Sequence, residues 1–425
     1  YDDESNQLNH ILHNIEKKTK LIPARDSFKW NKPVIVCGSG PSLDERIDQL
    51  KSIRDDCILV TAGSSIDAII NYGFIPDYHI EIESDYMVYS MLDNVGIDIT
   101  SKITLICAVQ CTPLLSQLFK DTYAFVKDSL SSGSIIENDR NKMKEPTPTC
   151  VNAALSFAMH YNATDVYLFG TDFGFYSEDS HHSKASIYHS VDSEQSDEVK
   201  EVQELTNNMM AVNFEQPGYK GTCLTTGTFY TTKRRIDMLI SFYLKYQEFN
   251  IFTCTDGLII KHTTHIDNNE TINIDKSKAT SNTLLDFHAH SRELPTNLKD
   301  KFSKDVHQPI KEMCHIFQNH IRSTDDDMET FSATCWALSN YVNDTFQRKH
   351  GTLMYFIRGT LWHYTLAGYS IAYAVEPKQQ PIIIKLWKQR FIDFLEKLPK
   401  DLINQINKDR SNMEDDIQLR KTIRE

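Results

Sequence analysis

The feature that most constrains this chain is a series of short apolar segments between residues 33 and 175. They are Val34–Cys37, Ile58–Thr61, Tyr78–Ile82, Ile103–Ala108, Tyr123–Val126 and Val166–Phe169. Most lack the apolar–polar alternation of a strand with one wet face. They therefore read as strands buried on both faces, as in a parallel sheet. Stretches with helical character fill the gaps, at 43–54, 64–72, 112–119 and 150–162. Strand–helix alternation in this order predicts an α/β, doubly wound, mainly parallel sheet of Rossmann type. Ligands of such sheets sit at the carboxyl ends of the strands.

Three regions follow. Residues 1–30 carry Leu8, Ile11, Leu12 and Ile15 at helical spacing. They read as a linker helix from a missing N-terminal part, because the chain opens on Tyr1 rather than Met. Residues 31–285 form the α/β domain. Within it, 176–208 is a long polar excursion with a helix near 197–210, and excursions of that length are usually functional or disordered. Gly221–Thr232 reads as β-like, 233–248 as a helix and Ile251–Cys254 as a strand. Residues 286–425 form a C-terminal α-helical domain, interrupted near Glu376–Pro381.

The formal net charge of −13 argues against broad nucleic-acid binding, which needs a basic surface. No apolar run reaches the roughly 18 residues of a transmembrane segment. Nine cysteines are scattered and odd in number, and Cys37 and Cys107 stand in apolar surroundings. They read as buried free thiols in a reducing compartment. Cys107 and Cys111 lack a second pair at zinc-site spacing, so no structural metal is expected.

Chemistry concentrates at strand ends. Gly38-Ser39-Gly40-Pro41-Ser42 follows the first buried segment. Its glycines allow a sharp turn and close approach to a ligand. Ser42 or Asp44 can cap the following helix, whose start favours an anion such as phosphate. No Gly-Lys-Ser/Thr follows, and the third glycine of a dinucleotide fingerprint is missing. Thr61 and Ser64 end the next segment; they suit a nucleotide or sugar, or a helix cap. Glu81 and Glu83 share one strand face by period-two alternation, which suits catalysis or solvated acids. Glu83 and Asp85 leave a divalent metal open. Gly170, Thr171 and Asp172 close another strand, and Asp172 suits ribose hydroxyls or an internal cap. Beyond lie His181, His182 and His189, candidate general bases or solvated loop residues. Asp256-Gly257 forms a further turn. Lys233, Arg234 and Arg235 face a carboxylate, a phosphate or solvent.

Taken together, Val34–Asp44, Ile75–Glu83, Thr149–Ala154, Leu168–Phe173, Gly221–Thr226 and Cys254–Gly257 resemble the motility accessory factor (Maf) family of flagellin glycosyltransferases. The central domain of that family is similar to bacterial sialyltransferases. The resemblance covers about residues 30–285. It implies a cytoplasmic glycosyltransferase moving a nonulosonic acid, of pseudaminic or legionaminic type, from its CMP donor to Ser or Thr of flagellin, for flagellar assembly and motility. By position, Gly38, Ser39, Gly40, Pro41 and Ser42 would cradle the nucleotide. Thr61, Ser64, Gly170, Thr171, Asp172 and Asp256 would help hold it, with Glu83 near the reacting centre. Sialyltransferases typically carry Asn where Ser39 stands, and their base is a His, for which His181, His182 and His189 are candidates. The catalytic set is thus Glu83, Asp172 and His182. No cofactor is firmly implied, and a metal is not required because a monophosphate leaves with less charge than a diphosphate. Two alternatives stand beside this reading. One is a 6-hydroxymethyl-pterin pyrophosphokinase-like enzyme, in which the acid at position 83 is typically Asp. The other is a non-catalytic flagellin-binding protein.

Overall fold

Neighbouring residues of the apolar runs go to opposite sides of one sheet, which is why the runs carry no polar alternation. Val34 and Val36 enter a core on one face, whereas Ile35 and Cys37 enter a second core on the other. The computed structural model describes residues 2–25, 29–127, 136, 142–177, 181–187, 212–275, 287–294 and 297–408. The expected helix near 197–210 and the candidate His189 lie outside them.

The strands are β1 Lys20–Leu21, β2 Val34–Cys37, β3 Ile58–Ala62, β4 Tyr78–Glu81, β5 Thr104–Ala108, β6 Asp121–Lys127 and β7 Lys142–Met143. They continue with β8 Asp165–Phe169, β9 Asn213–Gly218, β10 Gly221–Thr226, β11 Asn250–Cys254, β12 Thr264–His265 and β13 Arg292–Glu293. The main sheet runs β12-β11-β8-β2-β3-β4-β5-β6-β1-β13, with β7 beside β6. Its pairings are parallel, apart from the antiparallel edge pair β1–β13. β9 and β10 form a separate antiparallel hairpin. From β2 the order grows one way through β3 to β6 and the other way through β8 and β11. The crevice between the carboxyl ends of β2 and β8 is thus the topological switch point, where such sheets hold ligands.

Helices cover both faces. Leu43 and Leu50 of Ser42–Ile53 and Ala68 and Ile69 of Ser65–Asn71 pack on the Ile35/Cys37 side. Phe157 of Cys150–His160 and Leu239 of Gly227–Tyr243 pack on the Val34/Val36 side. Trp30, Tyr78 and Phe157 meet edge to face there. Two details differ from the sequence reading. Residues 112–119 tighten into a 3-10 turn, Pro113–Gln117, because β6 begins at Asp121. The β-like segment ends at Thr226, whose side chain accepts from Phe229 N and caps a helix that starts six residues before the expected 233.

The chain divides into two compact units. The α/β unit takes Thr19–Asp128 and Asn138–Glu293, and the other takes Tyr1–Lys18, Ser129–Glu137 and Leu294–Glu425. In the second, Gln308–Arg322, Met328–Asn340 and Gln380–Asn407 pack through Phe317, Phe331, Phe391 and Leu395. Asp327 caps Met328–Asn340 through Glu329 N and Thr330 N. The expected break appears between Ala374 and Gln380. Residues 1–30, read as a linker, contain the helix Asp2–Glu16, which packs against Gln380–Asn407 within the same unit. Gln405 there bonds to Ser5.

Candidate functional site

Three strand-end loops meet at the switch point. Gly38 N donates to Phe169 O at 2.9 Å and Gly40 N to Gly170 O at 2.7 Å. A Cβ on Gly38 would lie 2.5 Å from Gly170 O, and one on Gly40 would strike the Asp172 carboxylate. Gly170 itself has φ +59° and faces Gly38 O. The glycines that the sequence suggested for ligand approach are required first by this backbone-to-backbone crossing.

Asp172 ties the crossing together. Its Oδ2 accepts from Ser42 N at 3.2 Å and Ser42 Oγ at 2.9 Å. Its Oδ1 accepts from Thr255 Oγ1 at 2.7 Å and Asp256 N at 3.2 Å. Burial pushes this carboxyl above its ordinary value, and the four hydrogen bonds draw it back. The helix start at Ser42, expected to receive a donor phosphate, is therefore capped from within by Asp172. Asp256 is likewise engaged, paired with fully buried Arg46 and with Lys220 at 2.8 Å. Burial opposes ionisation of Asp256, but the hydrogen bonds and charges of Lys220 and Arg46 outweigh it and hold the carboxyl below its ordinary value.

Beside these loops opens a cavity of about 470 Å³, within the usual range for small-ligand sites. Ser39, Gly40, Ser64, Glu83, Gly170, Asp172 and His182 line it, as the sequence suggested. Gly38, Pro41, Ser42, Thr61, Thr171 and Asp256 do not. Thr61 is buried and turns its hydroxyl to His79 Nδ1 at 3.1 Å. Thr171 Oγ1 is buried with no hydrogen-bond partner among the described residues.

His182 is held by its loop. Asp44, a candidate helix cap, instead accepts from Ser183 Oγ and, at 2.9 Å, from Lys184 N. Ser183 N donates to Ser39 O at 2.8 Å. These bonds bring His182 Nδ1 to 3.3 Å from Ser39 Oγ, which lies 2.9 Å from Ser64 Oγ. The result is a His182–Ser39–Ser64 chain on the cavity wall. His181 lines the same wall.

Carboxyls line the same cavity. β4 ends at Glu81, so Glu83 stands in the following loop rather than on the strand face that the alternation suggested. Glu81 is buried and accepts from Ile82 N at 2.8 Å, Glu83 N at 3.1 Å and Cys150 Sγ at 3.1 Å. Burial raises its carboxyl. Behind it, burial lowers His79 to about 3, which leaves the ring neutral. Asp85 accepts from Met87 N at 2.9 Å, at the start of Met87–Val95. Asp67, in the first turn of Ser65–Asn71, also lines the cavity, and burial pushes it up to about 7. The sequence reading missed Asp67, whose only signal is its place just after the Gly63–Ser65 strand end. Five carboxyls thus line the cavity (Asp67, Glu81, Glu83, Asp85 and Asp172), and no Lys or Arg does among the described residues. No cluster of three or more His, Cys, Asp or Glu side chains suited to a metal occurs among the described residues.

Comparison with known proteins agrees with this architecture. The family described as 6-hydroxymethylpterin diphosphokinase MptE-like matches residues 6–178. The structure of MAf glycosyltransferase from Magnetospirillum magneticum AMB-1 superposes with a TM-score of 0.74 at 19% identity, over 98% of this chain and 63% of that one. An uncharacterized protein of Treponema pallidum (strain Nichols) is 24% identical over 83 residues, 20% of this chain and 40% of its own length. The chain therefore spans less than two thirds of either relative. The fold is that of the Maf glycosyltransferase structure, as the resemblance drawn from the sequence implied. No helix among the described residues is long and apolar enough to cross a membrane.

Proposed function

We propose that this protein is a glycosyltransferase that moves a nonulosonic acid from a CMP donor to Ser or Thr of flagellin, in the cytoplasm and in support of motility. The observation that carries the reading is the switch-point cavity, lined by a hydrogen-bonded histidine and by carboxyls, in a fold shared with a Maf glycosyltransferase. His182, oriented through Nδ1 by Ser39, takes the proton of the acceptor hydroxyl as it attacks the anomeric carbon. Ser39 and Ser64 offer hydroxyl donors to the departing phosphate. Glu83, exposed in the cavity, faces the oxocarbenium-like charge that develops as the glycosidic bond breaks. Asp172, assigned to catalysis on sequence grounds, acts in this reading by fixing the three loops. The C-terminal helices, which leave Trp336, Tyr373 and Ile382 exposed, are proposed to meet the protein acceptor.

The diphosphokinase description of the matching family supports a second reading, transfer of a diphosphate group from ATP to a pterin alcohol in the same cavity, with AMP as the leaving group. One experiment separates them. Intact flagellin mass is measured in the wild type, in a deletion of this gene, and in the deletion complemented with wild type or with His182→Gln. Loss of nonulosonate-sized mass steps, restored by wild type but not by His182→Gln, is the expected result. Unchanged flagellin mass in the deletion sinks the transferase reading and leaves the pterin assay to decide.

A further inference from the structure

The basic run Lys233–Arg235 is not used by the reaction proposed above, and the structure splits its members. Arg235 pairs with Glu145 at 2.7 Å, and Lys233 with Asp237 at 2.8 Å. Arg234 has no partner among the described residues. It opens instead onto a second cavity of about 460 Å³, together with Lys245 and Lys261. The side chains of Lys245 and Lys261 are equally without partners among the described residues. The acid lining this cavity, Asp237, is already bonded to Lys233 Nζ and to Lys261 N.

The helix Gly227–Tyr243 stands between the two cavities. Phe229 and Thr232 line the first, while Tyr230, Arg234, Asp237 and Ser241 line the second. At 3.6 residues per turn these two sets fall on different faces. The second cavity is thus a separate place, and its charge is opposite to that of the first. Converging cations repel one another unless an anion joins them, and a localised positive cavity in a chain of net charge −13 concentrates anions against the overall field. Separate Arg and Lys side chains match several phosphate oxygens at once. Tyr230 and Phe242 supply aromatic walls for a group carried by the phosphates.

We propose that this second cavity is a binding site for a diphosphate or triphosphate group, borne by a nucleotide or free in solution, with Arg234, Lys245 and Lys261 as its cationic contacts. The proposal stands whether or not the first cavity transfers a sugar. The test is calorimetric titration of the full chain with inorganic pyrophosphate and with ADP at low and at moderate salt. Wild type binds pyrophosphate with submillimolar affinity that weakens with salt. Arg234→Ala/Lys245→Ala binds at least tenfold more weakly and keeps the wild-type circular dichroism and melting temperature, since both side chains are exposed and unpaired. Arg235→Ala removes an equal kind of charge outside the cavity and leaves affinity within twofold. Tighter binding of ADP than of pyrophosphate identifies a nucleotide as the source, and equal binding identifies the free anion. No binding of either ligand by wild type at millimolar concentration overturns the proposal. So does equal weakening by Arg235→Ala, or binding of an acidic peptide in place of both phosphates.

Discussion

Replacing Asp172 by Asn keeps the shape of the side chain and exchanges one acceptor oxygen for a donor NH₂. The carboxylate serves four donors in two pairs, Ser42 N with Ser42 Oγ, and Thr255 Oγ1 with Asp256 N. The amide oxygen satisfies one pair. On the other side a hydroxyl can turn its lone pair toward the NH₂, but a backbone N–H cannot. One buried N–H is then left without a partner, which costs about 1–3 kcal/mol, and one charge-assisted bond is lost, worth about 1.5–3 kcal/mol. Removing a buried charge offsets part of this. The expected net loss is about 3 kcal/mol, felt where the loops after β2, β8 and β11 cross. With two units in the chain a single global unfolding energy is not well defined. The assay is therefore hydrogen exchange in peptides covering 34–44, 165–175 and 250–257 across a urea series. Protection in all three falls together in Asp172→Asn. Protection unchanged to within about 0.5 kcal/mol, the usual scatter of surface substitutions, refutes the reasoning. Lost transfer with unchanged protection would place Asp172 on the ligand after all.

Three further outcomes are expected. Gly170→Ala combines φ +59° with a Cβ driven against Gly38 O; it lowers stability by about 3 kcal/mol or more, read as lost soluble yield or a lower melting temperature. His182→Gln lowers the turnover of sugar transfer by about 10²–10⁴-fold and leaves CMP binding nearly intact, measured by CMP release and by calorimetry. Asp67 is raised from its ordinary 3.8 to about 7, so it costs stability as pH rises from 3.8 to 7 and costs nothing further above. Asp67→Asn should accordingly gain about 2 kcal/mol relative to wild type between pH 5 and pH 8, seen in paired urea titrations; a pH-independent difference would contradict the burial of Asp67.

The strands were legible because burial on both faces leaves an uninterrupted apolar run, and Val34–Cys37 divides its four side chains between two cores. The C-terminal helices were legible through their periodicity and the break before Gln380. The start of Gly227–Tyr243 was not, since Gly227 and the threonines after it look like strand residues until the Thr226 cap is known. The site was legible only as a set of strand ends. That Gly38 and Gly170 touch, or that Asp44 reaches a serine 139 residues away to place His182, follows from the strand order β8-β2-β3. No local spacing encodes that order. For the same reason the internal partners of Asp172 and Asp256, namely Ser42, Thr255, Arg46 and Lys220, were not legible in the sequence.

Carboxyls in the lining of the cavity proposed for the CMP donor set anion against anion, and the proposed reaction turns that conflict to use. Ground-state attraction for phosphate and sugar carboxylate is limited to neutral donors such as Ser39 and Ser64, because no Lys or Arg lines the cavity among the described residues. Burial also raises Asp67 to about 7, which lightens the negative charge that the free donor meets near neutral pH. In the proposed reaction the anomeric carbon turns cationic as its bond to phosphate breaks, and Glu83, proposed to face it, favours that transition state more than the bound donor. Interactions that strengthen only on the way to the transition state raise turnover rather than merely tightening binding. The cavity charge is therefore better suited to bond breaking than to holding the anion, whereas the cationic second cavity beyond Gly227–Tyr243 has the reverse character.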